Sequence, residues 1–170
     1  AEPSPFRHTV LMYGSSILHG ACASRSGLAY PARMSRNTGI NFVNYGLSGN
    51  GKMEAAVADM LKDIDADAFI LDCMPNPSPD EITERTQYLV NTIRKYHQGT
   101  PIIMIETYMR ENGYSDQAVH DRCTRQGEAF VKQYELLKKQ GIKDLYLIRD
   151  NHAIGTDHEG SVDGTHPNDL

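Results

Sequence analysis

Residues 68–108 read AFILDCMPNPSPDEITERTQYLVNTIRKYHQGTPIIMIETY, and this stretch decides the fold class. It opens and closes with apolar runs that have the length and composition of buried β-strands. Between the runs, Ser78 can cap a helix that has proline at its first position and acidic residues in its first turn. A strand, a helix and a second strand in this order predict two parallel strands joined by a crossover helix.

The same alternation continues on both sides of this unit, over a chain of 170 residues. Further strands are predicted at residues 9–13, 40–45 and 142–150, and further helices at residues 27–39, 53–64 and 116–140. Five apolar strands alternating with helices predict an α/β protein with a mostly parallel five-stranded sheet, covered on both faces. We expect residues 1–170 to form one three-layer α/β/α domain.

Composition excludes several classes of function. The net charge is −5 and the 17 lysines and arginines are scattered, so no nucleic-acid partner is expected. No apolar run approaches the ~20 residues that span a bilayer. Three cysteines without a C-x-x-C pair predict neither a disulfide framework nor a structural zinc site. His120 and Cys123 lie on one predicted helix, but no second ligand pair accompanies them, and a solvated helix face is the better interpretation.

Polar residues follow every predicted strand, at the end where ligands bind in open α/β sheets. In chain order they are Ser15 and Ser16, the glycine loop 46–51, Asn76, then Glu106, Tyr108 and Arg110, and finally Asp163 and His166. We therefore expect loops from distant parts of the sequence to converge on one rim.

That rim holds the residue types of an acyl-transfer site. A serine on a tight turn is a nucleophile only when a base takes its proton, and His166 can be that base. Asp163, three positions earlier, can hold the other ring nitrogen and set the tautomer. A glycine N–H, the Ser16 N–H and the Asn76 amide can stabilise an oxyanion. Taken singly, each residue has an ordinary structural interpretation, such as a turn or a helix cap.

The glycine loop permits a different interpretation. Residues 46–53 read GLSGNGKM, one residue short of the phosphate-binding pattern G-x-x-x-x-G-K-[ST], with Met53 where a hydroxyl would bind Mg²⁺. Asp72 could supply the acidic strand end of a nucleotide site. A P-loop-like nucleotide-binding protein is thus the alternative, although it leaves Ser16, Asn76 and His166 unexplained.

At these residues the sequence resembles the SGNH hydrolases, also called GDSL-type esterases. The family block G-D-S-L matches GSSI, the S-G loop matches NYGLSGNG, the asparagine block falls on CMPNP, and D-x-x-H-P matches DGTHP. The blocks span Gly14 to Pro167. The resemblance implies a flavodoxin-like fold and a serine esterase without metal or organic cofactor. It makes Ser16, Asp163 and His166 the catalytic residues, with Ser16, Gly49 and Asn76 forming the oxyanion hole.

Three positions depart from the family pattern: Ser15 replaces an aspartate, Met74 a glycine and Pro77 an aspartate. The changes at Met74 and Pro77 bear on the shape of the Asn76 loop. The change at Ser15 leaves open a second alternative, a binding module on the same fold that takes glycan or acyl ligands without turnover.

Substrate is less determined by the sequence. Tyr108, Arg110 and His19 are candidate substrate contacts near the rim, where polar residues suit a sugar or a short acyl group, although Arg110 can equally be a solvated loop charge. The absence of a long apolar lid argues against a lipase, and we expect acetyl or another small acyl ester.

The sequence also resembles a bacterial branch of the family in which a small β-sandwich precedes this domain, which suggests carbohydrate-linked esters. The sequence does not determine the oligomeric state or the compartment. It favours a periplasmic or secreted protein whose signal or upstream domain lies outside this chain.

Overall fold

The computed structural model describes residues 5–149 and 152–169. The strands are β1 (Thr9–Gly14), β2 (Asn41–Gly46), β3 (Ala68–Asp72), β4 (Ile102–Ile105) and β5 (Leu145–Ile148). The helices are α1 (Ser16–His19), α2 (Tyr30–Thr38), α3 (Ala55–Leu61), α4 (Pro79–Tyr96) and α5 (Gln117–Lys139), with 3-10 turns at Ser26–Leu28 and Glu111–Tyr114. No helix in these described ranges is both long and apolar enough to cross a membrane.

The five strands form one parallel sheet in the order β2-β1-β3-β4-β5. This confirms the predicted three-layer α/β/α fold, and the strand order is that of flavodoxin-like domains. Because all strands are parallel, their carboxyl ends lie along one edge of the sheet. The loops singled out from the sequence start from that edge.

The two faces of the sheet are covered by different helices. On one face, α3, α4 and α5 pack over a large apolar cluster that includes Phe69 and Leu71. On the other face, Met12 and Ile70 pack with Leu18 of α1 in a smaller cluster. Each large apolar side chain buried in this way stabilises the fold by about 1.5–3 kcal/mol.

Helix α4 begins where the sequence predicted. The Ser78 hydroxyl accepts a hydrogen bond from the Glu81 backbone N–H at 3.1 Å, and the Glu81 carboxylate accepts one from the Ser78 backbone N–H at 2.8 Å. This reciprocal capping box satisfies two N–H groups that have no partner inside the helix. It fixes the position at which the chain leaves the Asn76 loop.

Predicted and observed bounds differ most at two places. The predicted helix 53–64 shortens to Ala55–Leu61, because Met53 has a φ of +59° and cannot belong to a right-handed helix. The predicted strand 142–150 is limited to Leu145–Ile148, and Asp150 lies outside the described residues. Helix α1 and the 3-10 turns were not predicted, since three or four residues are too few to show a period.

Candidate active site

A one-residue turn presents Ser16. Strand β1 ends at Gly14 and α1 starts at Ser16, with Ser15 alone between them. The Ser15 hydroxyl donates to the Met74 carbonyl at 2.8 Å, and the Ser15 N–H donates to the Asp72 carbonyl at 3.2 Å. A Cβ on Gly14 would lie 2.1 Å from that same Asp72 oxygen, so the turn needs glycine there. Ser15 thus holds the turn against β3 where the family pattern has an aspartate.

Ser16, His166 and Asp163 form a continuous chain of hydrogen bonds. Ser16 Oγ lies 2.8 Å from His166 Nε2, and His166 Nδ1 lies 2.7 Å from Asp163 Oδ2. A carboxylate only accepts hydrogen bonds, which assigns the ring proton to Nδ1 and leaves Nε2 free to accept the Ser16 proton. The structure therefore brings together the three residues that the sequence proposed as catalytic.

Asp163 is held in its ionised form. Its other oxygen accepts hydrogen bonds from the backbone N–H groups of Thr165 and His166, at 2.9 and 2.8 Å. Partial burial alone would raise the pKa of Asp163, but these bonds and the His166 ring outweigh burial and lower the pKa to about 2. The carboxylate is consequently charged wherever His166 can act as a base.

The loop that carries His166 is anchored to the segment after β4. The Tyr108 hydroxyl donates to the Thr165 carbonyl at 2.6 Å, and the Asn112 N–H donates to the Gly164 carbonyl at 3.1 Å. Tyr108, a candidate substrate contact in the sequence, thus uses its hydroxyl to fix the loop between Asp163 and His166.

The glycine loop and Asn76 are tied to the nucleophile turn. Gly51 has a φ of +70°, and a Cβ on it would lie 2.3 Å from the Gly14 carbonyl oxygen. The Asn76 amide donates to the Asn50 carbonyl at 2.5 Å. Gly49, the candidate oxyanion donor, has a φ of +76° and open space around its Cα. All three candidate oxyanion donors therefore belong to segments in contact around Ser16.

The other two candidate substrate contacts have partners within the protein. Arg110 Nε lies 3.3 Å from the Cys123 sulfur on α5. The exposed His19 ring lies 3.0 Å from the Gly46 carbonyl and so rests on the glycine loop.

Sequence reasoning missed three residues near this site and considered Asp72 only as part of a nucleotide site. Gln126 of α5 donates to the carbonyls of Pro75 and Pro77, at 2.6 Å each, and so holds the Asn76 loop. Its only sequence signal is that it is a polar residue on a predicted helix. The other two are Tyr30 and Cys22.

Asp72 and Tyr30 lie on the wall of a cavity of about 510 Å³ beside the nucleophile turn. The Tyr30 hydroxyl donates to the Asp72 carboxylate at 2.5 Å. Burial raises the pKa of Asp72 to about 6, and the hydrogen bond from Tyr30 opposes that shift. Cys22 lies beside the triad, with its sulfur 4.0 Å from Asp163 Oδ2.

Comparisons with known proteins agree with this geometry. The pattern of the GDSL-like Lipase/Acylhydrolase family matches residues 7–170. The chain belongs to this family. Membership of this family confirms the predicted family and the ester-hydrolysing class of enzyme.

Solved structures of relatives extend the comparison. A protein of Bacteroides ovatus assigned as a GDSL-like lipase is 59% identical, with a TM-score of 0.96 over 98% of this acylhydrolase chain and 50% of that one. The salicylyl-acyltransferase SsfX3 of a tetracycline biosynthetic pathway is 20% identical, with a TM-score of 0.77 over 99% of this chain and 51% of that one. A family two carbohydrate esterase of Clostridium thermocellum, solved with cellohexaose, is 13% identical, with a TM-score of 0.67 over 99% of this chain and 61% of that one. This chain thus spans about half the length of the first two, and no curated protein matches it significantly.

Proposed function

We propose that this chain is a serine esterase that hydrolyses small acyl esters, acetyl above all, on carbohydrate substrates. The observation that carries the proposal is the unbroken chain from Ser16 Oγ through the His166 ring to the Asp163 carboxylate, with links of 2.8 and 2.7 Å. A binding module has no need of a base on its serine or of a carboxylate on that base. We further propose that residues 1–170 act as one domain.

In the first half of the reaction, Ser16 Oγ attacks the ester carbonyl carbon while His166 Nε2 takes its proton. The charge on the tetrahedral oxygen is stabilised by the N–H groups of Ser16 and Gly49 and by the Asn76 amide. One such donor is typically worth about 3 kcal/mol of barrier. His166 then gives the proton to the departing alcohol, and an acyl group remains on Ser16.

In the second half, a water molecule loses its proton to the same Nε2 and attacks the acyl-enzyme. Asp163 stays ionised throughout and stabilises the imidazolium that forms twice in each cycle. No cofactor enters these steps.

Two features support a small polar substrate. The loop 46–51 beside Ser16 is polar and rich in glycine, and Gly49 on it is exposed. Carbohydrate esterases are also found among proteins of this fold, although at identities of 13 to 16% they bear on the fold alone.

The test is hydrolysis of p-nitrophenyl acetate by the wild type, Ser16→Ala and His166→Ala, with the exposed Ser24→Ala and His8→Ala as matched controls. We expect loss of about 10⁴-fold or more in kcat for the first two variants and wild-type rates for the controls. Release of acetate from acetylated xylose and glucose then tests whether the alcohol part of the substrate is a carbohydrate. Turnover that persists in Ser16→Ala contradicts the proposal, and ligand binding without turnover in the wild type supports the module instead.

A further inference from the structure

Three metal-ligating side chains meet on the solvent side of the triad. Cys22 Sγ lies 4.0 Å from Asp163 Oδ2, and Asp163 Oδ2 lies 2.7 Å from His166 Nδ1. The ligand atoms of the three residues all lie within 4.8 Å of one another. Asp163 is about half exposed, and the side chain of His166 is 22% exposed, so an ion can reach them from solvent.

The fold holds Cys22 at this place. Gly20 ends α1 with a φ of +87°, and a Cβ on it would lie 2.5 Å from that of Ala29. The chain therefore turns sharply just before Cys22. Two residues later, the Ser24 N–H donates to the Asp169 carboxylate at 3.0 Å. The segment with Cys22 is thus fastened to the segment that follows His166.

We propose that Cys22, Asp163 and His166 form a binding site for a thiophilic divalent cation such as Zn²⁺, and that the bound ion switches the esterase off. Zn²⁺ prefers sulfur, imidazole nitrogen and carboxylate oxygen in a tetrahedral arrangement, with bonds of about 2.0–2.3 Å. Ligand atoms in such a site stand roughly 3.3–3.8 Å apart. The observed spacing reaches this with shifts of about 1 Å, and water completes the shell.

The charges favour the same ion. A Cys22 thiolate and the Asp163 carboxylate together neutralise a divalent cation, while neutral imidazole supplies the third ligand. Ca²⁺ and Mg²⁺ prefer oxygen ligands, so the thiol selects against them.

The ion would disable the proposed base. With Nδ1 bound to metal, the neutral ring carries its proton on Nε2, the nitrogen that faces Ser16 Oγ. Nε2 then donates to the hydroxyl and cannot accept its proton, so the nucleophile is not activated. This inhibition rests on the proposed function, whereas the binding of the ion does not.

Binding is tested first, without reference to activity. Cd²⁺ is titrated into the wild type, Cys22→Ser and His8→Ala, and the ultraviolet charge-transfer band between thiolate and cadmium is followed. His8 pairs with Asp67 at the amino-terminal edge of the sheet, so it controls for adventitious surface binding. We expect one equivalent of Cd²⁺ in the wild type and His8→Ala, and no band in Cys22→Ser, which still contains the buried Cys73 and Cys123. No band in the wild type, or an equal band in Cys22→Ser, overturns the proposal.

Inhibition is tested second, by titrating Zn²⁺ into the p-nitrophenyl acetate assay and comparing each variant with its own zinc-free rate. Loss of even an outer partner of a metal site costs about 10–100-fold in affinity, so we expect Cys22→Ser to raise the half-inhibitory concentration by about tenfold or more. His8→Ala should match the wild type, and a chelator should restore activity. Equal sensitivity of Cys22→Ser and the wild type contradicts the switch. Cys22→Ala, with its fold checked by circular dichroism, repeats the comparison without the hydroxyl that Cys22→Ser introduces. If neither the wild type nor any variant hydrolyses esters, the cadmium titration still tests the metal site.

Discussion

At the scale of single residues, Asp72 is a carboxyl group whose main partner in the described structure is the Tyr30 hydroxyl. Its pKa is raised to about 6 in the folded state, against about 3.9 in an unfolded chain. The folded state therefore binds this proton more tightly. The stability that Asp72 contributes is fully present below pH 4 and is lost as the pH rises through 6, with a slope of about 1.4 kcal/mol per pH unit between the two values.

Asp72→Asn removes this titration while keeping an oxygen for Tyr30. We expect the free energy of unfolding of the variant, relative to the wild type, to increase from pH 4 to pH 7 by on the order of 2 kcal/mol. Urea unfolding of both proteins at several pH values measures this difference. The contributions of the other titratable groups to the pH dependence are the same in both proteins and cancel. Parallel curves for the two proteins would show that Asp72 titrates normally.

From its hydrogen bond to Thr165, we expect Tyr108 to position the loop of His166 rather than the substrate. Tyr108→Phe keeps the ring but removes the donor to the Thr165 carbonyl, so the imidazole is held less firmly. We expect kcat to fall by about fivefold, as a hydrogen bond worth about 1 kcal/mol implies, with KM little changed. Tyr114→Phe, with an exposed side chain, is the matched control, and a change confined to KM in Tyr108→Phe would indicate a substrate contact instead.

Residue chemistry explains what the sequence could and could not predict at this scale. Ser16, Asp163 and His166 were found because their residue types and strand-end positions suit one reaction. Cys22 was missed because no motif or strand-end position marks it, and its contact with Asp163 joins positions 141 apart. For Tyr108 the position at the rim was predicted, but its partner depends on a loop path that no local pattern encodes.

At the scale of elements, the glycine loop after β2 contains two glycines with the same left-handed backbone but different surroundings. Gly51 is buried against the Gly14 carbonyl, whereas Gly49 has open space. Gly49→Ala should therefore cost only the backbone strain of about 1–2 kcal/mol. Gly51→Ala should cost more and should displace the turn that carries Ser16.

We expect Gly51→Ala to lose both stability and esterase activity, and Gly49→Ala to keep most of its kcat because an alanine retains the N–H. Thermal unfolding and p-nitrophenyl acetate kinetics on the pair provide the comparison. Equal losses of stability and activity in both variants would mean that the close contact between Gly51 and the Gly14 carbonyl does not shape the loop.

Elements differ in how well the sequence predicts them. The capping box makes the start of α4 readable from Ser78 and Glu81, and apolar runs make the five strands readable. The stretch 152–169 contains no helix or strand beyond a single bridge between Ser161 and Pro167. Its path is set by contacts with other segments, so periodicity could not predict it.

At the scale of the whole molecule, the site depends on this irregular stretch being held against the sheet. Helices α3, α4 and α5 share one large apolar cluster with the sheet, while the loop of His166 is held by hydrogen bonds and small contacts. Segments with few buried apolar contacts open at a lower free-energy cost than the core.

We therefore expect esterase activity to be lost at a lower urea concentration than the helical circular dichroism signal. Stopped assays and spectra on the same samples measure the two midpoints. At urea concentrations between the two midpoints, labelling by a fluorophosphonate reports whether Ser16 is still activated by its base. Coincident midpoints would show that the loop and the core unfold as one unit.

The separation of Ser16 from His166 by 150 positions has a consequence for biosynthesis. The proposed nucleophile leaves the ribosome before its base, which is translated roughly 8 to 30 s later at ordinary elongation rates. During that interval a nascent chain already exposes the serine without any group to activate it. If Ser16 and His166 act as proposed, we expect a nascent chain to stay inactive towards esters until the loop of His166 has emerged from the ribosome.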